Sequence, residues 1–179
     1  PLVFCGILIF VPVFSKKAWF YIVGIITIGF GLAIWYLWDI ELAPPFLVVW
    51  GLLLALDIVC ELYEIQLLPG HATSAAIAVM VGAVFIGGPK LGILTVLVGS
   101  TVAELYLRRN VWYKDSLRYF SIVLFNVGQL LISVTLAGLV FRILGGKSPP
   151  FYTIVDFLRA GITFGVFITT NAAIVSGVV

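Results

Sequence analysis

Residues 91–146 read LGILTVLVGSTVAELYLRRNVWYKDSLRYFSIVLFNVGQLLISVTLAGLVFRILGG, and this stretch decides the fold. Leu91 to Leu107 is an apolar run of helical length. The segment Arg108 to Arg118 is a charged turn that holds four of the ten basic residues of the chain. From about Tyr119 to Leu144 a second apolar run follows, and Gly145-Gly146 ends it. Two apolar helices joined by a cationic turn describe a membrane hairpin whose turn lies in water or among lipid headgroups.

The whole composition agrees with that reading. Hydrophobic residues make up 63% and charged residues 10% of the chain, with a mean hydropathy of +1.23, whereas soluble domains are about one quarter charged. Runs longer than the ~18 residues needed to cross ~30 Å of hydrocarbon, without the alternation of barrel strands, predict helical spans. The expected fold is all-α, a polytopic transmembrane helix bundle forming one integral membrane domain over residues 1–179. A net charge of +2 gives no support for nucleic-acid binding.

Working outward, Leu2 to Phe14 is too short to cross by itself and reads as the tail of a first helix. Ser15-Lys16-Lys17 closes it. Ala18 to Trp38 is a second span with Trp19, Tyr21, Trp35, Tyr36 and Trp38 near its ends, as in an interfacial aromatic belt. Pro44-Pro45 opens a third, Phe46 to about Leu62, because proline is favoured in a first helical turn. Glu61 to Thr73 reads as an interfacial connection broken at Pro69-Gly70. Ser74 to Ile86 is a fourth span, the turn Gly87-Gly88-Pro89-Lys90 makes it an antiparallel neighbour of the fifth, and Phe151 to Val179 is the last. In that last segment the part around Asp156 and Arg159 is expected to lie along the interface, with the crossing beginning near Gly161. This gives six complete spans and one partial. The chain opens on Pro1 and stops on Val179 within an apolar run, which reads as a fragment of a longer polypeptide.

Lys16, Lys17, Arg108, Arg109, Lys114 and Arg118 fall in odd-numbered loops, against Lys90, Arg142 and Lys147 in even ones. The excess of basic residues in cytoplasmic loops then places the odd loops and the C-terminus in the cytoplasm.

Polar residues at membrane depth are the candidate sites. Asn126, Gln129 and Ser133 share one helical face, continued by Ala137, and should point into the bundle, where they bond to neighbouring helices or line a ligand pocket. Asn171 on the last span is a further candidate for that pocket. Glu104 and Arg108 have the spacing and order of an intrahelical ion pair. Asp57, Glu61 and Glu64 share a face at the end of the third span; a solvated helix end is the plainer reading, a cation site or proton relay the sharper one. Arg108, Arg109, Trp112, Tyr113, Lys114 and Arg118 suit contact with headgroups or with a protein partner. His71 lacks a companion at ligand spacing, Cys5 and Cys60 read as buried thiols, and no motif for a metal, a cofactor or a catalytic nucleophile is present.

The order Glu61-Leu62-Tyr63-Glu64, Leu68-Pro69-Gly70, Gly87-Gly88-Pro89-Lys90-Leu91-Gly92, Glu104-Leu105-Tyr106-Leu107-Arg108-Arg109, Trp112-Tyr113-Lys114, Phe125-Asn126-Val127-Gly128-Gln129 and Ala137 to Gly146 resembles a bacterial multi-span membrane domain. Domains of that kind precede cytoplasmic HD-type phosphohydrolase, diguanylate cyclase or histidine kinase domains. The resemblance implies a sensory or anchoring role in signal transduction, coupled to a cytoplasmic output domain or partner subunit, and the lack of a catalytic constellation in these residues predicts no enzyme activity within these helices. Two other functions fit the same composition: the substrate-binding membrane subunit of a vitamin-type transporter, and a helical subunit packed into a larger membrane complex.

Overall fold

The computed structural model describes residues 15–41, 43–63, 65–68, 71–109, 115–146 and 153–177, with backbone only at 65–68 and 71–73. The expected first helix over Leu2–Phe14, the break at Pro69-Gly70, Glu64, the Trp112-Tyr113-Lys114 cluster and Lys147 to Pro150 lie outside the described residues.

Helix α1, Lys16–Leu37, starts where the Ser15 hydroxyl oxygen accepts the Ala18 amide at 3.2 Å, supplying one of the partners that a helix's first amides lack. Helix α2, Pro44–Leu62, has proline in its first turn, where the missing N–H costs nothing. The backbone then pairs Ile65–Leu68 with His71–Thr73 as a short antiparallel ribbon, an element the sequence reading treats as an irregular connection. Helix α3 (Ala76–Thr95) passes through a π segment, Val96–Ser100, into α4 (Thr101–Leu107). Helix α5, Ser116–Ile143, begins where the Asp115 carboxylate accepts the Arg118 amide, a few residues earlier than its apolar run suggests. Helix α6, Ile154–Ser176, opens with a capping box between Thr153 and Asp156.

Five helical stretches among the described residues are long and apolar enough to cross a membrane: Lys16–Leu37, Pro44–Leu62, Ala76–Leu107, Ser116–Ile143 and Ile154–Ser176. The third is not a straight rod. Gly88, at φ 73° and ψ −171°, takes a backbone conformation that side chains rarely tolerate, and the chain reverses there. The proof of reversal is Gly92, where a Cβ would sit 2.5 Å from Val84 Cγ2 and 3.5 Å from the Met80 carbonyl oxygen. In an unbroken helix Met80 and Gly92 would stand about 18 Å apart. The Gly87-Gly88-Pro89-Lys90 turn therefore joins antiparallel arms, but its first arm, Ala76 to Gly87, is only about 18 Å long at 1.5 Å per residue. Six complete crossings reduce accordingly, since that arm cannot traverse ~30 Å of hydrocarbon by itself. Helix α6 runs unbroken from Ile154, with the capping box and the Arg159–Asp156 ion pair at 3.1 Å in its first turns, so no break near Gly161 divides the segment into two helices.

Helix α5 is the axis of the bundle, with 72% of its most apolar window buried against 17% for α1 and α6. Val123, Val127, Leu130, Leu131, Val134 and Phe141 on α5 pack with Met80, Val81, Val84, Ile93, Val96 and Phe167. Ile22 and Phe125 cluster with Ile132 and Ile174, and Gly29 meets Gly128, so α1 runs parallel to α5 and α6 antiparallel to both. Two hydrogen bonds mark one end of the bundle: Tyr21 Oη donates to the Ile174 carbonyl at 2.8 Å, and Tyr119 Oη to the Leu105 carbonyl at 2.9 Å. The opposite end is marked by Lys90 Nζ, 2.8 Å from Asp39 Oδ1. The beginning of α1, the end of α4, the beginning of α5 and the end of α6 thus share one end, and the Asp39 loop and hairpin tip share the other.

Candidate functional site

In hydrocarbon the informative side chains are polar groups sealed from solvent, because each requires a partner from the protein itself. The most demanding is Asp57. It is the one fully buried residue of α2, at 0% exposure, on a helix whose other faces display Leu47, Val48, Leu52, Leu56 and Val59 outward. Asp57 looks across to the π segment. A Cβ on Gly99 would collide with Asp57 Oδ2 and lie 3.2 Å from Leu54 Cδ1, so only glycine leaves room for the carboxyl group there. Ser100, also at 0% exposure, is close enough to bear on the same carboxyl group, yet neither carboxyl oxygen nor Ser100 Oγ makes a hydrogen bond of good geometry.

The π segment explains this juxtaposition. One extra residue per turn shifts the register of everything that follows it, and such bulges recur at functional sites. Here it delivers Gly99 and Ser100 together to the face of α2 that carries Asp57. One turn along α2, the Cys60 carbonyl accepts the Ser74 hydroxyl at 3.0 Å and ties the end of α2 to the start of α3. The reading of Asp57 as part of a solvated helix end is overturned by its burial. Its partners come from residues some forty positions later, a relation that spacing within α2 does not reveal. The available signal was a carboxylate in the last turns of an apolar span, before the span ends at Leu62, a kind of residue that argues for a functional role.

The α5 stripe is buried: Asn126 is 9%, Gln129 8% and Ser133 0% exposed. Ser133 Oγ donates to the Gln129 carbonyl of its own helix at 2.8 Å. Gln129 Oε1 and, on α6, Asn171 Oδ1 are buried without a hydrogen-bond partner.

At the basic end, Arg108 turns inward. Its Nε lies 3.1 Å from Glu104 Oε2 with both side chains more than nine-tenths buried, the pair expected from their spacing. Arg109 is exposed and stacks over the Tyr106 ring at 3.9 Å, and the half-buried Arg118 lies in the first turn of α5. At the other end, Lys90 holds the Asp39 carboxyl below the usual carboxylate range through its hydrogen bond and charge. Among the described residues no three His, Cys, Asp or Glu side chains are grouped as metal ligands would be.

Comparison with known protein families, curated proteins and solved structures found no match. The chemistry of the chain must be read from its own residues: a sealed carboxyl group at the α2–π contact, unpartnered amide oxygens on α5 and α6, and one bundle end carrying Lys16, Lys17, Arg109 and Arg118.

Proposed function

We propose that this chain is a membrane-embedded sensory or anchoring domain that passes its state, or its location, to a cytoplasmic output domain or partner subunit. The observation that carries the reading is the gathering of chain segments at one bundle end. The start of α1 and the end of α6 are linked there through Tyr21 and Ile174, and the start of α5 is joined to the end of α4 by the Tyr119 hydroxyl and the Leu105 carbonyl. Lys16, Lys17, Arg109 and Arg118 give that end its cations, and the positive-inside rule puts such an end in the cytoplasm of a bacterial inner membrane. A change in helix packing then reaches the last helix and the ends of α4 and α5 that carry Arg109 and Arg118. The resemblance of the Glu61 to Gly146 pattern to signalling membrane domains supports the same reading.

Arg108 is committed to Glu104 inside the bundle, so Arg109 and Arg118 are the cations to test. A photo-crosslinking residue at Ser116 in native membranes should form adducts with the cytoplasmic output domain or partner, and Arg109→Glu with Arg118→Glu should lower their yield several-fold while insertion is unchanged. Adducts with lipid alone would reduce the turn to an anchor. A small-molecule transporter subunit is the second reading, favoured by the unpartnered oxygens of Gln129 and Asn171 within the bundle.

A further inference from the structure

Helix α2 is held at the edge of the bundle in an unusual way, since its single fully buried residue is a carboxylic acid rather than an apolar side chain. The carboxyl group rests on Gly99 with no space for a side chain between them. Both of its oxygens and the adjacent Ser100 hydroxyl are sealed and unpartnered. A full negative charge in such a place is the costliest group a protein can bury, and proteins relieve that cost by pairing the charge or by neutralising it. Among the described residues no ion pair reaches Asp57. The charged groups on the elements around it are Glu61, one turn along α2, and the Glu104–Arg108 pair beginning one turn beyond Ser100. Lys90 on α3 is at the far end, bound to Asp39. A metal ion suits the site poorly, because a hard cation takes about six or more oxygen ligands and the two side chains here offer fewer.

We propose that Asp57 is a proton-binding site that controls the docking of α2: the neutral acid lets the helix seat against Gly99 and Ser100, and loss of the proton drives the helix outward. In the forward step the carboxyl O–H breaks, its electron pair stays on the carboxylate, and the proton passes to water at the end of α2. That end lies about 8 Å away at 1.5 Å per residue, with the Glu61 carboxyl group on the route. The direction of the pH dependence follows from linkage. The docked state holds one proton more than the undocked state, so docking is favoured at low pH and weakens as pH rises. The switch would give the sensory reading an input, yet it stands whether or not that reading holds.

Cys60, half-buried and one turn from Asp57, reports the seating of α2. With Cys5→Ser, Cys60 is the sole thiol of the chain. Its rate of reaction with a membrane-permeant maleimide is measured in lipid nanodiscs across the range in which buried carboxyl groups titrate, roughly pH 4 to pH 9. The Asp57→Asn variant, isosteric and always neutral, carries the same thiol, so dividing by its rate removes the ionisation of Cys60 itself. The ratio of wild type to Asp57→Asn should be near unity at low pH and rise several-fold at high pH, unaffected by exchanging sodium for choline. A ratio that is flat across the range overturns the proton switch, and one that follows sodium at fixed pH assigns the site to a cation instead. Should Asp57→Asn fail to insert, infrared difference spectra of the wild type with isotope-labelled aspartate decide the matter. A buried protonated carboxyl band must be present at low pH and vanish on raising the pH, and its absence at low pH contradicts the assignment.

Discussion

Gly29 and Gly128 set how closely α1 approaches α5, backbone against backbone, and no side chain fits between them. A Cβ at position 29 would run into the Gly128 carbonyl oxygen, whereas one at Gly24 on the same helix meets nothing within 4 Å. In a membrane the association of helices rests on close packing instead of the hydrophobic effect, so these two alanine substitutions separate packing from helix propensity. Gly29→Ala should cost about 1–3 kcal/mol in reversible unfolding from mixed micelles, and Gly24→Ala should cost nothing measurable. Equal losses at both sites would show that the Gly29 contact is not what joins the helices. The same geometry makes Gly99 the residue that admits Asp57. Gly99→Ala should leave Cys60 reactive at every pH, because the added methyl excludes the carboxyl group in either protonation state. Retained protection of Cys60 in that variant would mean that α2 seats by other contacts.

Between elements, the two ends of the bundle are fastened by different electrostatics. Glu104 and Arg108 form a sealed pair at the exit of α4, and breaking a buried pair on one side leaves an uncompensated charge. Glu104→Gln should therefore destabilise the bundle by about 3–5 kcal/mol, and Glu104→Leu combined with Arg108→Met should recover most of that loss in the same unfolding assay. Asp39 and Lys90 instead meet in the open, where an ion pair steers geometry more than it stabilises. Lys90 keeps the Asp39 carboxyl below its ordinary range, so the contact persists through neutral pH and is lost as pH falls through that lowered value. In Lys90→Gln the Asp39 carboxyl should titrate at a higher pH, as carbon-detected magnetic resonance would register. Much at this scale was written in the sequence. Proline at the start of α2, the Glu104–Arg108 spacing and the glycines at the hairpin tip all carry local signals. The π segment does not, because one extra residue in a turn changes neither composition nor hydropathy. The start of α6 is a related case, because spacing alone does not show that Thr153 and Asp156 cap one continuous helix in which Arg159 pairs with Asp156.

For the molecule as a whole, apolar runs and basic turns were enough to predict a membrane helix bundle, while the burial of Asp57 depended on a contact between α2 and a segment some forty residues further on. Helical periodicity puts Asn126, Gln129 and Ser133 on one face of α5, the need of polar groups in hydrocarbon for partners turns that face inward, and all three are buried there. What no periodicity conveys is which polar atoms stay unpartnered inside, and those at Gln129, Asn171 and Asp57 are where ligand and proton chemistry are to be sought. The proposed coupling needs one arrangement: the start of α1, the end of α4, the start of α5 and the end of α6 at one end of the bundle, and the Asp39 loop, hairpin tip and end of α5 at the other, with the two ends on opposite sides of the membrane. Single cysteines introduced at Arg109 and Gly145 in a chain lacking Cys5 and Cys60 test it most directly. An impermeant thiol reagent added to intact cells should label position 145 and spare position 109, with the pattern reversed in inside-out vesicles. Labelling of both positions from the same side would contradict the arrangement and the cytoplasmic coupling built on it.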